Sequence, residues 1–256
     1  MRNTAKNGFT LVELLVAMAI ASIVMAAIVS AYQIQVMGKN TQEIITDMNQ
    51  TARAALEIMA QEIRMAGCNP KGIDENANGR PRIITASPGE LIFSLDIDDN
   101  LNTKQPDGDC CDSNEVIRYC LTNDAAGDGI NDSIASGVEC HLGRETGPGN
   151  DPDLACGGVS GLQPLARNVD VLNFVYLDED GVVIGAPVGV NDLKDIRSIE
   201  ITLVARAGKE SGGFLYSYTN KDTYKNQQGT EILSAQNDRF RRLQLTTTIN
   251  CRNPGR

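Results

Sequence analysis

From Phe9 to Tyr32 the chain is an almost unbroken apolar run in which Glu13 is the one formal charge and neither Gly nor Pro occurs. Such a run predicts a continuous helix able to cross the hydrocarbon core of a bilayer. After Tyr32 the pattern turns amphipathic without a stop signal. Ile45, Met48, Ala52, Leu56, Met59 and Ile63 recur at three- and four-residue steps, while Glu43, Asp47, Arg53, Glu57 and Arg64 lie largely off that stripe. One helix is therefore expected from about residue 9 to 66, roughly 90 Å long. Gly38 is its weak point, costing about 1 kcal/mol relative to Ala, and Gly67, Pro70 and Gly72 end it. The half at 9–32 suits a membrane or filament core, and the half at 33–67 suits packing on the chain that follows. The stripe is too short for the sustained heptads of a coiled coil.

Beyond residue 67 the pattern changes to β. Leu91, Phe93 and Leu95 alternate with Ile92 and Ser94, and 116–121 forms a second strand. The stretch 169–177 is nearly all apolar, as in a strand buried on both faces. Asp178-Glu179-Asp180-Gly181 then turns the chain into 182–184 as a hairpin. Ile199, Ile201 and Leu203, and later Leu243, Leu245, Thr247 and Ile249, alternate with polar neighbours as half-buried antiparallel strands do. The longest irregular region is expected at 96–161. The predicted class is α+β, with a long N-terminal helix packed on an antiparallel β-sheet head at 68–256.

Glu13 is the informative residue of the apolar run, because an unpaired carboxylate inside a membrane costs about 2.5 to 3.5 kcal/mol and is normally kept for a partner. A free α-amino group at Phe9, made by cutting after Gly8, would supply one from a neighbouring chain. Residues 1–8 contain Arg2 and Lys6 and no acid, which keeps this leader cytoplasmic and sends the rest outward. The whole chain has 23 basic and 33 acidic side chains, a formal charge of −10, and loss of the leader makes it more negative. That balance argues against general nucleic-acid binding.

Gly8-Phe9-Thr10-Leu11-Val12-Glu13-Leu14 after a short basic leader resembles the processing site of type IV prepilins and type II secretion pseudopilins. The resemblance implies cleavage after Gly8 by a prepilin peptidase, methylation of the Phe9 amine, and assembly through Glu13. It also implies a pilin-like fold. Further patches are similar to the PilW family of minor pilins: Ala54-Ala55-Leu56-Glu57, 63–67, 166–174, 196–206 and 245–249. They imply a low-copy subunit that primes pilus assembly, as in adhesion and twitching motility, partnered with other minor pilins and the major pilin. Such a subunit starts as a single-pass inner-membrane protein on the assembly platform and ends in an extracellular pilus or a periplasmic priming complex. The J-type minor pseudopilin of type II secretion is the alternative within this fold. A tip-borne adhesin using the loops of 96–161 is an alternative of another class.

Seven cysteines, Cys68, Cys110, Cys111, Cys120, Cys140, Cys156 and Cys251, in an exported domain suggest disulfide-rich loops. Cys68 and Cys251 are expected to pair, tying the last strand to the helix end, while the odd count leaves one thiol free or bonded to a neighbouring subunit. Asp74, Asn76 and Asn78 open like a calcium loop, but Thr85 stands where the closing Glu belongs. Asp96, Asp98 and Asn100, and Asp124, Asp128 and Asp132, are further oxygen clusters for calcium. Solvated turns explain the same residues. No other cofactor is implied. The chain has no Gly-x-Ser-x-Gly and no phosphate loop, and its one histidine, His141, sits beside Cys140, so no enzyme activity is expected.

Overall fold

The computed structural model describes residues 8–68, 83–96, 106, 115–136, 138–147, 162–207, 212–213 and 216–252. The chain divides into two compact units, 1–44 and 45–256. One α-helix, α1, runs from Leu11–Met65 through Gly38 without interruption. Its end is set by Gly67, whose φ of 71° lies in the left-handed region, with the Cys68 N–H closing back onto the Met65 carbonyl at 2.9 Å.

In the second unit the buried helix positions are Met48, Ala52, Ala55, Leu56, Met59, Ala60 and Ile63, the face that the three- and four-residue steps predict. Five antiparallel strands form the first sheet in chain order: β1 (Ile83–Ala86), β2 (Leu91–Ser94), β3 (Val116–Leu121), β4 (His141–Gly147) and β5 (Gln163–Arg167). The helix is clamped to this sheet by Glu62. Its carboxylate accepts hydrogen bonds from the Tyr119 hydroxyl and from Arg144 Nε at 3.0 Å, and Tyr119 and Arg144 face each other across β3 and β4. Burial, then the adjacent Glu62 charge, pushes the Tyr119 hydroxyl far above its ordinary pKa, so it stays a donor.

The chain passes into the second sheet through a single residue, Asn168, at φ 55°. Asn tolerates that conformation because its short polar side chain bonds locally. The second sheet contains β6 (Val169–Leu177), β7 (Val183–Ile184), β8 (Ser198–Arg206) and β13 (Arg242–Asn250), ordered β13-β8-β6-β7 and antiparallel throughout. Two short hairpins, β9 (Gly212–Gly213) with β10 (Tyr216–Ser217) and β11 (Tyr224–Lys225) with β12 (Glu231–Leu233), lie between β8 and β13 in the chain.

Loops stitch the sheets together along the free edge of β6. The Leu172 N–H donates to the Gly129 carbonyl at 2.9 Å, Phe174 N–H to Pro88 O at 2.8 Å, and Tyr176 hydroxyl to Ser87 O at 2.7 Å. Glycine is required here: a Cβ on Gly129 would stand 2.0 Å from the Leu172 carbonyl oxygen, and one on Gly89 would stand 2.1 Å from the Gly129 nitrogen.

Two expectations need correction. The region 96–161 is not irregular throughout, because it also contains β4. Its residues, His-Leu-Gly-Arg-Glu-Thr-Gly, have no hydrophobic alternation, and Gly143 leaves room for Leu162, whose Cδ1 would lie 2.4 Å from a Cβ there. β8 is buried on both faces instead of one. Its polar face, Glu200 and Thr202, is covered by the β11–β12 hairpin, with Gln228 Nε2 donating to Glu200 at 2.9 Å and Asn226 bonding Asn173 at 3.3 Å. Val171, Val204, Tyr224, Ile232 and Leu233 form a separate apolar cluster under that hairpin.

Candidate assembly segment

In the first unit the apolar side chains have nothing over them. Phe9 is 89% exposed, and Leu11, Leu14, Leu15, Ile20, Ile23 and Ile28 are also exposed all round the helix. The helix is long and apolar enough to cross a membrane. Its surface is far larger than the apolar patches that water normally tolerates.

Glu13 sits in the first turn of this helix and is already in use. Its carboxylate accepts from both the N–H and the hydroxyl of Thr10, each at 2.9 Å, while the Glu13 N–H points back to Thr10 Oγ1 at 3.3 Å. Thr10 and Glu13 are thus a capping box, satisfying the first amides of the helix reciprocally. This explains why α1 starts at Leu11 and not at Phe9. Gly8, next to Phe9, has open space around it. The carboxylate, the Gly8–Phe9 peptide bond and the apolar surface therefore occupy one accessible helix end.

The cysteine expectations resolve differently. Cys68 and Cys251 are free thiols, so the expected pair is absent. Each is tied to a different sheet: the Cys68 carbonyl accepts from Asp96 N–H after β2, whereas Cys251 N–H donates to Arg197 O at the foot of β8. Cys140 is also free, and Cys120 is disulfide-bonded. Burial pushes the Cys251 thiol up to about 11 and raises Cys140 as well, which makes both poor nucleophiles. Cys110, Cys111 and Cys156 lie outside the described residues.

Of the calcium candidates, Asp74, Asn76, Asn78, Asp98 and Asn100 also lie outside the described residues. Asp124, Asp128 and Asp132 do share one loop, but they turn their oxygens onto its backbone. Asp124 accepts from Gly127 and Gly129 N–H at 2.7 Å, Asp128 from Ile130 at 2.9 Å and Asp132 from Ala125 at 2.7 Å. Burial raises the Asp124 carboxyl. Asp96 is buried beside the helix end, far along the chain from that loop, and its N–H is bonded to Cys68. Among the described residues no group of three or more His, Cys, Asp or Glu side chains could hold a metal ion.

Thr122 lies between Cys140 and His141, its hydroxyl oxygen accepting from the His141 main-chain N–H at 3.0 Å and lying 3.7 Å from the Cys140 sulfur. A surface depression of about 420 Å³ is lined by Asp178, Glu179, Asp192, Asp195 and Arg197. Asp178 there serves the β6–β7 turn, accepting from Asp180 and Val182 N–H at 3.0 and 2.8 Å.

One charged site escaped the sequence reading. Asp170, fully buried, meets Arg242 Nε at 2.7 Å and Arg206 Nε at 3.5 Å, and Arg242 forks onto Asp238 at 2.8 and 2.6 Å. Arg206 also stacks over Phe240 at 4.7 Å. Burial alone would raise Asp238, but the Arg242 bonds outweigh it and hold the carboxyl below its ordinary range. The available signal was a lone Asp within the apolar 169–177 run, with an Arg at the end of each neighbouring strand pattern.

The chain matches the prokaryotic N-terminal methylation motif over residues 3–29. The matched stretch holds Gly8, Phe9, Thr10 and Glu13 together. A type IV-like pilin from Thermus thermophilus is a structural neighbour at 12% identity and a TM-score of 0.47, covering 82% of this chain and 100% of its own. No curated protein matches the chain.

Proposed function

We propose that this chain is a minor pilin of the PilW kind, a structural subunit that helps to start a type IV pilus. The observation that carries the reading is the methylation motif at residues 3–29 lying on an uncovered apolar stretch, 9–32, whose one charge, Glu13, stands a turn from Phe9. The patches resembling PilW minor pilins lend support, because 166–174, 196–206 and 245–249 lie side by side as β5–β6, β8 and β13. No catalytic role is part of this reading.

The mechanism is mechanical. The chain inserts with its leader in the cytoplasm; hydrolysis of the Gly8–Phe9 bond frees the Phe9 amine, which is then methylated. Thr10 keeps the Glu13 carboxylate ordered in its own helix until the amine of a neighbouring subunit approaches. In a low-dielectric helix bundle that ion pair sets register more than it adds stability, since both charges are already partly desolvated. Leu11, Val12, Leu14 and Leu15 supply the packing surface.

The test is recovery of the full-length protein from its native membrane, with identification of its N-terminus and partners. An N-methylated Phe9 with major and minor pilins is the expected result. Processing at Phe9 with secretion pseudopilins would assign it to the J-type alternative, and an intact Met1 without such partners would overturn the pilin reading.

A further inference from the structure

Sheet edges are sites of unwanted pairing, and proteins blunt them with short strands, bulges, prolines or exposed charges. Three of the four outer strands of the two larger sheets are blunted in this way. β7 has two residues, β1 has four with a register break, and β5 contains Pro164, the exposed Arg167 and a register break against β4. β13 is not. Its nine residues pair with β8 in unbroken register from Arg242 to Asn250, without proline, and its single charged side chain, Arg242, is 0% exposed.

The ladder identifies which main-chain groups face outward. Ala207 N–H donates to Arg241 O and Cys251 N–H donates to Arg197 O, so the odd-numbered residues of β13 bond β8. The N–H and C=O groups of Gln244, Thr246, Thr248 and Asn250 therefore point away from the sheet. No strand pairs with them among the described residues. Thr246, Thr248 and Asn250 are exposed, whereas Leu243, Leu245 and Thr247 on the other face are only partly covered. A strand laid along this edge, about 30 Å long, would extend both faces.

Charge at the two ends selects the occupant. Arg239 precedes β13 and Arg252 follows it, both exposed, in a chain of formal charge −10. We propose that the outer edge of β13 receives an extended strand of another protein subunit, one uncharged along its middle and carrying Asp or Glu at both ends. Main-chain hydrogen bonds would supply affinity, and the flanking carboxylates would set register against the two arginines.

Full-length protein in detergent micelles tests this with two synthetic peptides that share an alternating Val-Thr-Leu-Thr-Val-Thr-Leu-Thr-Val core, long enough to span β13, one ended by Glu pairs and one by Lys pairs. The Glu-ended peptide is expected to slow amide exchange at Gln244, Thr246, Thr248 and Asn250, and to bind about tenfold tighter than the Lys-ended one. Arg239→Glu combined with Arg252→Glu should reverse that preference. Thr246→Pro, which removes an outward N–H that β8 does not use, should weaken binding. If that variant fails to fold, the charge-reversal pair still decides. Equal binding of both peptides, or an unreversed preference, overturns the proposal. Edge amides that become protected in the protein alone as its concentration rises would assign the edge to a second copy instead, which also overturns it.

Discussion

The helix at 8–44 and the unit at 45–256 solve opposite problems. In the first, apolar side chains are uncovered around the whole circumference of 9–32, and the one carboxylate of that stretch, Glu13, is held by the hydroxyl and amide of Thr10. In the second, even strongly polar groups are buried or half-buried and answered within the chain: Asp170 by two arginines, Glu62 by Tyr119 and Arg144, Glu200 by Gln228. Surface that the first unit leaves to other molecules is completed internally in the second. Assembly and folding should therefore fail separately.

The largest expected effect is on assembly alone. Glu13→Ala should leave membrane insertion and head stability unchanged while co-purification with partner pilins falls sharply; partner recovery equal to wild type would contradict the role given to Glu13. The converse break is Asp170→Ala, which takes the one buried carboxylate from Arg206 and leaves Arg242 with Asp238 alone, and should cost the head about 3 to 5 kcal/mol in chemical denaturation. Insertion of the N-terminal helix should be untouched.

A smaller effect sharpens the same contrast through pH. Asp238 titrates below its ordinary value, so its contribution is fully present above the unfolded carboxylate pKa of about 4 and is lost as pH falls through the lower, folded value. Head stability should decline in that acid window, and Asp238→Asn should flatten that part of the profile while lowering stability at neutral pH. Smallest is Thr10→Val, which removes the hydroxyl half of the capping box. Amides of the first helical turn should exchange about fivefold faster, with no change in the melting of the head.

Much of this division is legible in the residues. The apolar run, the stripe from Met48 to Ile63 and the strands at 116–121 and 169–177 follow from periodicities that local burial imposes, and the structure reproduces them. What could not be read depends on contacts distant in sequence. β4 lacks an apolar pattern because Gly143 is shaped by Leu162. Glu200 and Thr202 look like a solvated face until the β11–β12 hairpin covers them. The Cys68–Cys251 pair was reasoned from chain order, but the helix end and the last strand are anchored on different sheets. Thr10 was readable: Thr-x-x-Glu is a capping signature, in which Glu13 serves the helix start by hydrogen bonds as well as by its charge.

Asn168 imposes a restriction on the history of this chain. Because a single residue carries the backbone from β5 into β6 and the register against β8 already shifts between Val169 and Val171, that corner has taken up its irregularity, and β6 is buried on both sides. Insertion of one residue there would send every β6 side chain to the opposite face, turning Asp170 away from its arginines and Phe174 away from the core. Homologous lineages are free to lengthen or shorten exposed turns such as 178–182, but at this corner the spacing should be invariant even where the amino acids around it drift.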